Sequence, residues 1–230
     1  MSNIKVENPQ KNINDSTLVI PRNAIPNKNP IYLFLKRGQD IFFSLLAIIT
    51  LLPVLLLISL IIVLDDPSGS PIFCQVRCGK NGRPFRMLKF RSMRKGAEDD
   101  LKNLLVSNEM DGPVFKIKDD PRITKFGKFI RKTSLDELPQ LFNILIGDMS
   151  IVGPRPALPR EVDFYNTYHN QRLLVRPGLT CIWQIQPLRN SINFEDWVNL
   201  DIEYINKQSF LLDLKIIFKT ISAVFKGYGE

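Results

Sequence analysis

Two adjacent carboxylates, Asp136 and Glu137, stand in the run Arg131-Lys132-Thr133-Ser134-Leu135-Asp136-Glu137-Leu138-Pro139-Gln140. A carboxylate can attack phosphorus, as it does when aspartyl phosphates form. A neighbouring pair can also hold Mg²⁺, a hard cation that takes oxygen ligands and shares them with substrate phosphates. Attack of one anion on another needs charge neutralisation, and Arg131 and Lys132 are close enough in sequence to supply it. The same residues have a purely structural explanation. Ser134 followed three residues later by Glu137 is a capping box, and Asp136 sits where a helix dipole favours an anion. A helix N-terminus beside basic side chains is in turn a natural phosphate site. The run predicts a helix from Leu135 to Ile146, closed by Gly147. A Ser or Cys nucleophile with a histidine base competes poorly, because His169 is the sole histidine. The three cysteines, Cys74, Cys78 and Cys181, are too few and wrongly spaced for a zinc set or a full disulfide framework. They are expected to be buried thiols in a reducing compartment, which puts the active face in the cytosol.

The elements that must position these residues begin with 24 uncharged residues, Ile41 to Leu64, preceded by Lys36 and Arg37 and followed by Asp65 and Asp66. About 20 apolar residues span a bilayer. Pro53, near the middle, removes a backbone donor and is expected to kink the helix. Each half is then roughly 18 Å long at ~1.5 Å per residue, too short to cross alone. A mild bend leaves a spanning helix and a sharp one a re-entrant helix, and the residues leave both open. Residues 71–79 and 83–93 form two β-leaning runs separated by Lys80-Asn81-Gly82, a hairpin signal. Helices are expected over 97–110, 159–174, 194–206 and 210–226, with a mixed stretch from 112 to 131. Gly153-Pro154-Arg155-Pro156 is a stiff loop, since its prolines fix φ.

The chain has 230 residues and a formal charge of +8, and residues 77–132 alone carry 16 Lys/Arg against seven Asp/Glu. Such an excess points to an anionic partner: nucleic acid, acidic lipid or a phosphorylated substrate. The basic stretch lacks both a nucleic-acid fold signature and interleaved stacking aromatics, so nucleic acid is not an expected partner. Residues 1–30 hold seven Asn and four Pro and read as a flexible tail. The resulting organisation is a tail (1–30), a membrane-embedded helix (31–66) and a catalytic domain (67–230). The fold class is mainly α with a small β-hairpin. The last helix can be a core element or lie in the membrane interface with Lys215, Lys219 and Lys226 toward headgroups.

Taken in order, several stretches resemble the bacterial sugar transferases, the monotopic polyprenyl-phosphate phosphoglycosyl transferases. They are the apolar helix with Pro53, Lys89-Phe90-Arg91-Ser92-Met93, Asp120-Pro121-Arg122-Ile123-Thr124, and Ser134 to Gln140. Gly147 to Pro156, Arg176-Pro177-Gly178-Leu179-Thr180 and Leu211 to Ile216 continue the match, which covers about 36–226. The resemblance implies a re-entrant helix, a cytosolic compact helical domain with interfacial amphipathic helices, and residence at the bacterial inner membrane. It implies that Asp136 is the nucleophile toward the β-phosphate of a nucleoside diphosphate sugar, with UDP the expected nucleotide. The sugar phosphate then passes to undecaprenyl phosphate by a ping-pong route. Glu137 matches the partner carboxylate, with Mg²⁺ held by Asp136 and Glu137. Arg131, Arg155, Pro154, Arg189, Lys89 and Arg91 match phosphate- or substrate-binding positions, and Asp201 and Asp213 match acidic positions near the site. Asp213 reads equally well as a solvent-facing helix charge. Family members of this type can pair as homodimers.

Two departures stand out. Leu52 precedes Pro53 where small members often carry Ser, and Leu188-Arg189-Asn190 stands where the family text reads Gly-Arg-Asn, with one extra residue before it. The first bears on the helix bend and the second on nucleotide-sugar selectivity. Two other classes fit parts of the chain: a membrane-tethered binding module using the basic region, and an inactive scaffold of a glycan-assembly complex.

Overall fold

The computed structural model describes residues 23–97, 99–100, 112–114, 117, 120–186 and 192–225. The helix expected at 97–110 and Arg189 therefore lie largely or wholly outside the described residues.

Helix α1, Pro30–Asp65, is 36 residues long, about 54 Å at 1.5 Å per residue. Asn29 caps it through hydrogen bonds from the N–H groups of Ile31 and Tyr32, and Pro30 occupies the first turn, where no donor is needed. The helix runs through Pro53 without a break. Proline there removes a single rung of the ladder, and the apolar residues on either side keep the rest. α1 is long and apolar enough to cross a membrane. Its exposed side chains include Phe34, Phe42, Ile49, Leu56, Leu57 and Leu64.

Both ends of α1 are fastened to the same globular body. Near its start, Arg37 donates to the carbonyls of Ile144 (2.7 Å) and Leu145 (2.8 Å). Asp40 accepts from Ser150 Oγ (3.0 Å) and the Ile151 N–H (2.9 Å). Near its end, Leu55, Ile58 and Ile62 pack with Phe90 and Ile130, and Arg91 binds Asp66 at 3.2 Å.

Strands β1 (Ile72–Cys78) and β2 (Pro84–Phe90) pair antiparallel, with Phe73 opposite Lys89, Gln75 opposite Met87 and Arg77 opposite Phe85. The turn between them uses Asn81 and Gly82 at positive φ, as the Asn-Gly signal predicts. Helices α2 (Lys125–Lys132) and α3 (Gln140–Ile146) follow. Strands β3 (Ser150–Val152) and β4 (Gly178–Thr180) then form a second, parallel pair that the residue pattern did not signal, each strand being only three residues long. A Cβ on Gly178 would lie 2.1 Å from the Gly153 nitrogen, so the close crossing of these two loops requires glycine. Short helix α4 (Pro159–Val162) precedes α5 (Phe194–Lys207) and α6 (Phe210–Phe225). The main core gathers Met87, Leu141, Ile144, Val152, Tyr204 and Ile216 from β2, α3, β3, α5 and α6.

Three expectations change. The helix expected from Leu135 is a 3₁₀ turn, Leu135–Glu137, and the α-helix begins only at Gln140. Pro139 has no N–H to continue the ladder back to Leu135. The helix expected over 159–174 is α4 plus a 3₁₀ segment, His169–Leu174. Asn166 Oδ1 accepts from the His169 N–H at 2.9 Å, offering the backbone a turn instead. The chain from Ala24 to Asn29 is tied down: the Ala24 N–H donates to Gln171 Oε1, and the Ile25 N–H to Asn206 Oδ1 at 2.7 Å. Helix α6 is a core element on one face, burying Asp213, Ile216 and Ile217, and exposes Leu211, Phe218 and Ile221 on the other.

Candidate active site

The two carboxylates reach their place through a tight turn. α2 ends at Lys132, and Ser134 takes φ +57°, a left-handed conformation. It makes no side-chain cap, so the capping box expected of Ser134 and Glu137 does not form. Leu135 and Leu138 turn inward against the cluster of Phe90, Ile130 and Ile58. This leaves Asp136 and Glu137 facing β2, Asp136 buried and Glu137 partly exposed. Because the turn is 3₁₀ and short, these acids do not sit at an α-helix N-terminus, and the dipole argument made for them does not apply.

Lys89 of β2 faces both acids, with Nζ 2.9 Å from Glu137 Oε1 and 3.9 Å from Asp136 Oδ2. What holds β2 at this distance is Asn143, 1% exposed, on α3. Its Nδ2 donates to the Arg86 carbonyl at 2.8 Å and its Oδ1 accepts from the Leu88 N–H at 2.9 Å. It thereby satisfies one N–H and one carbonyl on the free edge of a two-stranded ribbon with one side chain.

Lys89 and Glu137 lie in one wall of an open cleft enclosing about 340 Å³, solvent at the mouth included, and Asp136, 3.9 Å from Lys89, is not among the residues that line it. Lys89, Met87 and Arg77 come from one face of the hairpin, and Glu137 and Gln140 from the turn and α3. Arg155, Pro156, Leu179 and Gln184 close the other side. The Arg155 guanidinium lies 5.7 Å over the Trp197 ring, and Trp197 stacks on Trp183 at 4.5 Å. A cation over an indole face is held there by the ring quadrupole. Pro154 accepts the Gly178 N–H at 2.9 Å and so sets the loop that carries Arg155.

The other expected site residues are distributed differently. Arg131 lies in the last turn of α2, close enough to Asp120 to help lower its pKa. Arg91 is engaged by Asp66 and the carbonyls at the end of α1, and does not line the cleft. Asp201, 1% exposed, accepts from Arg172 Nε at 2.7 Å. Asp213 is fully buried, not solvent-facing. It accepts from Lys36 Nζ (2.9 Å), Tyr204 (2.7 Å) and Tyr32 (3.2 Å), which pulls a helix charge into the core. Neither acid lines the cleft. His169 packs on Phe194 and faces Glu195 at 2.9 Å.

Cys74 is exposed, contrary to expectation, because it points to the outer face of the hairpin; Cys78 and Cys181 are buried and free. Burial pushes both of the latter thiols up, which keeps them inert. Arg77, Gln140 and Gln184 were not anticipated as cleft residues. The alternation Gln75-Val76-Arg77 in β1 was the available signal, since residues two apart share a strand face.

Among the described residues no group of three or more His, Cys, Asp or Glu is placed to hold a metal ion alone. Asp136 and Glu137 present an edge of adjacent carboxylates beside cationic cleft residues. That donor set fits Mg²⁺ completed by substrate phosphates and water, rather than a cage built wholly of protein.

A basic cleft lined by Glu137 and flanked by Asp136, together with a helix long and apolar enough to cross a membrane, suits a protein that handles phosphates. The sequence profile described as bacterial sugar transferase matches residues 31–227, and the chain belongs to that family. It is similar to the galactosyl transferase CpsE of Streptococcus agalactiae, 48% identical over 198 residues, covering 86% of this chain and 44% of that protein. It is also similar to the undecaprenyl-phosphate galactose phosphotransferase of Salmonella typhimurium, 40% identical, covering 85% of this chain and 41% of that protein. The exopolysaccharide production protein ExoY of Sinorhizobium fredii is 42% identical, with 85% of this chain and 87% of that protein covered. The chain thus spans less than half the length of CpsE and of the Salmonella protein, and most of ExoY.

Proposed function

We propose that this protein is a phosphoglycosyl transferase that moves a sugar phosphate from a UDP-sugar to undecaprenyl phosphate, an opening step of exopolysaccharide or surface-glycan synthesis. The observation that carries this reading is the Asp136–Glu137 pair set against Lys89 at the wall of a basic cleft. The names of the relatives support the substrate classes.

In the first step an Asp136 carboxylate oxygen attacks the β-phosphorus of the donor. The bond from that phosphorus to the bridging oxygen breaks, and UMP leaves with the electron pair. In the second, a phosphate oxygen of undecaprenyl phosphate attacks the same phosphorus and the Asp136–phosphorus bond breaks. The products are undecaprenyl-diphosphate sugar and the free carboxylate. Burial of Asp136 limits the water that would otherwise compete for the intermediate. Lys89 neutralises the carboxylates so that an anionic donor can approach, and Arg155 and Arg131 offer charge to its phosphates. Mg²⁺, when bound by Asp136 and Glu137, would supply further neutralisation of the diphosphate.

The attachment of both ends of α1 to one body supports a helix that enters and leaves the membrane on the same, cytosolic face, an arrangement that requires α1 to bend at Pro53, where the missing N–H loosens the ladder. A spanning helix would carry its ends to opposite sides. Leu211, Phe218 and Ile221 of α6 would then rest in the interface, and the lipid acceptor would reach the cleft without leaving the bilayer.

The test is release of UMP by the purified protein with Mg²⁺, undecaprenyl phosphate and a panel of UDP-sugars. Asp136→Asn is expected to lower turnover by about 10³-fold or more, the scale of losing a nucleophile. Full activity in that variant would remove Asp136 from the role.

A further inference from the structure

Arg77 has a feature that the mechanism above does not use. It is 7% exposed yet lines the cleft. Its Nε and Nη2 both donate to Gln75 Oε1, at 3.2 and 2.8 Å, and Nη1 donates to the Pro156 carbonyl at 3.0 Å. All these acceptors are neutral, and Arg77 forms no ion pair with a described carboxylate. A guanidinium carries five N–H bonds, so one on each terminal nitrogen remains uncommitted. Burial, then repulsion from Arg155, lowers its pKa to about 10 against the opposing pull of Glu161 and Glu137, so it stays charged at neutral pH. Glu161 and Glu137 favour the charge from beyond ion-pair distance, so a buried cation hydrogen-bonded only to neutral acceptors gains further when an anion arrives to pair with it directly. Guanidinium geometry suits phosphate oxygens.

Register places this cation relative to the reacting centre. Lys89 is opposite Phe73, four residues along β1 from Arg77, which is about 13 Å at 3.3 Å per residue. The Lys89 end adjoins Phe90 and Ile72, which pack on α1, whereas the Arg77 end lies at the far end of the hairpin, toward its turn. Long side chains from both ends converge on one cleft. A lipid acceptor arrives from the α1 side, so the far end belongs to the water-soluble substrate.

We infer that Arg77 binds the diphosphate of the nucleotide substrate on the side of the departing nucleotide, and that Gln75 is its positioning residue. The inference rests on the transferase reading for the direction of the reaction, but not for the presence of the anion site. Arg77 would stabilise the charge that builds on the leaving phosphate.

The experiment uses the full chain in lipid nanodiscs, with UDP as the binding probe and turnover of the best UDP-sugar measured in parallel. Gln75→Glu is the informative variant. It gives Arg77 an internal carboxylate of the same shape, keeps the tie to Pro156, and should leave the unfolding temperature unchanged or raised. The expected result is UDP affinity lowered by tenfold or more, KM for the UDP-sugar raised to match, and KM for undecaprenyl phosphate unchanged. Arg77→Lys should show the same pattern. UDP affinity equal to wild type in a folded Gln75→Glu protein would overturn the inference, as would a rise confined to the KM of the lipid acceptor. UDP binding weakened by Gln75→Glu and by Arg77→Lys, in a protein whose wild-type form never releases UMP, would sustain the anion site while sinking the transferase reading.

Discussion

At the scale of single residues, the site depends on charges placed within a few ångströms of one another, and Lys89 is the clearest case. Its ammonium sits 2.9 Å from Glu137 and 3.9 Å from Asp136. Without it the two adjacent carboxylates would repel each other and the donor alike. A hydrogen bond to a charged group contributes about 1.5–3 kcal/mol, and each 1.4 kcal/mol is a factor of ten. Lys89→Ala is therefore expected to reduce turnover by about 10–100-fold while the far-ultraviolet circular dichroism stays as in wild type. Asp201 behaves in the opposite way, because its charge supports the fold. Removing it strands Arg172, which is 4% exposed, and stranding one partner of a buried pair costs about 3–5 kcal/mol. Asp201→Ala should thus lower the unfolding temperature sharply, and a shift of less than two or three degrees would contradict this account.

At the scale of elements, α3 joins three parts. Its Asn143 fixes β2 and hence Lys89, its last carbonyls receive Arg37 of α1, and its first turn contributes Gln140 to the cleft. Asn143→Ala leaves a strand N–H and a carbonyl without partners in the interior, each costing about 1–3 kcal/mol. A loss of stability of that order is expected, with turnover falling as Lys89 drifts from the acids. The placement of α1 can be tested directly. Single cysteines at Asn27 and Ser68, each in a background lacking Cys74, Cys78 and Cys181, should both react with an impermeant thiol reagent from the cytosolic side of oriented vesicles. Labelling of the two positions from opposite sides would establish a spanning helix and remove the re-entrant arrangement.

At the scale of the whole molecule, buried ion pairs lock loops to the body, and pH reads them out. Arg122 holds Asp120 by side-chain hydrogen bonds, the shortest 2.6 Å, and keeps its carboxyl below the usual range. A carboxylate whose native pKa is depressed contributes its full stability above the unfolded value, about 4. That contribution is lost as the pH falls through the lower native value. Asp120→Asn should therefore destabilise the protein at neutral pH and flatten the acid limb of its stability profile below about pH 4. Thermal unfolding across pH 2–7 would show an unchanged acid limb if the pair carried nothing.

What the sequence determined by itself is local or compositional. The acid pair, the apolar run from Ile41 to Leu64, the Asn-Gly turn and the boundaries of α5 follow from residue type and period, which neighbours in the chain are enough to establish. The residues quoted for the family were legible for the same reason. Tertiary structure alone decided the rest. That Ser134 turns left-handed instead of capping, that Arg91 holds α1 rather than lining the cleft, and that Asp213 lies inside were not written locally. Each depends on a partner far away in sequence, such as Asp66 for Arg91 or Lys36 for Asp213. Arg77 became visible as a cleft residue only when the hairpin register and the Pro156 carbonyl were brought to it. A charge declares its role through what compensates it, and compensation is set by packing rather than by spacing along the chain.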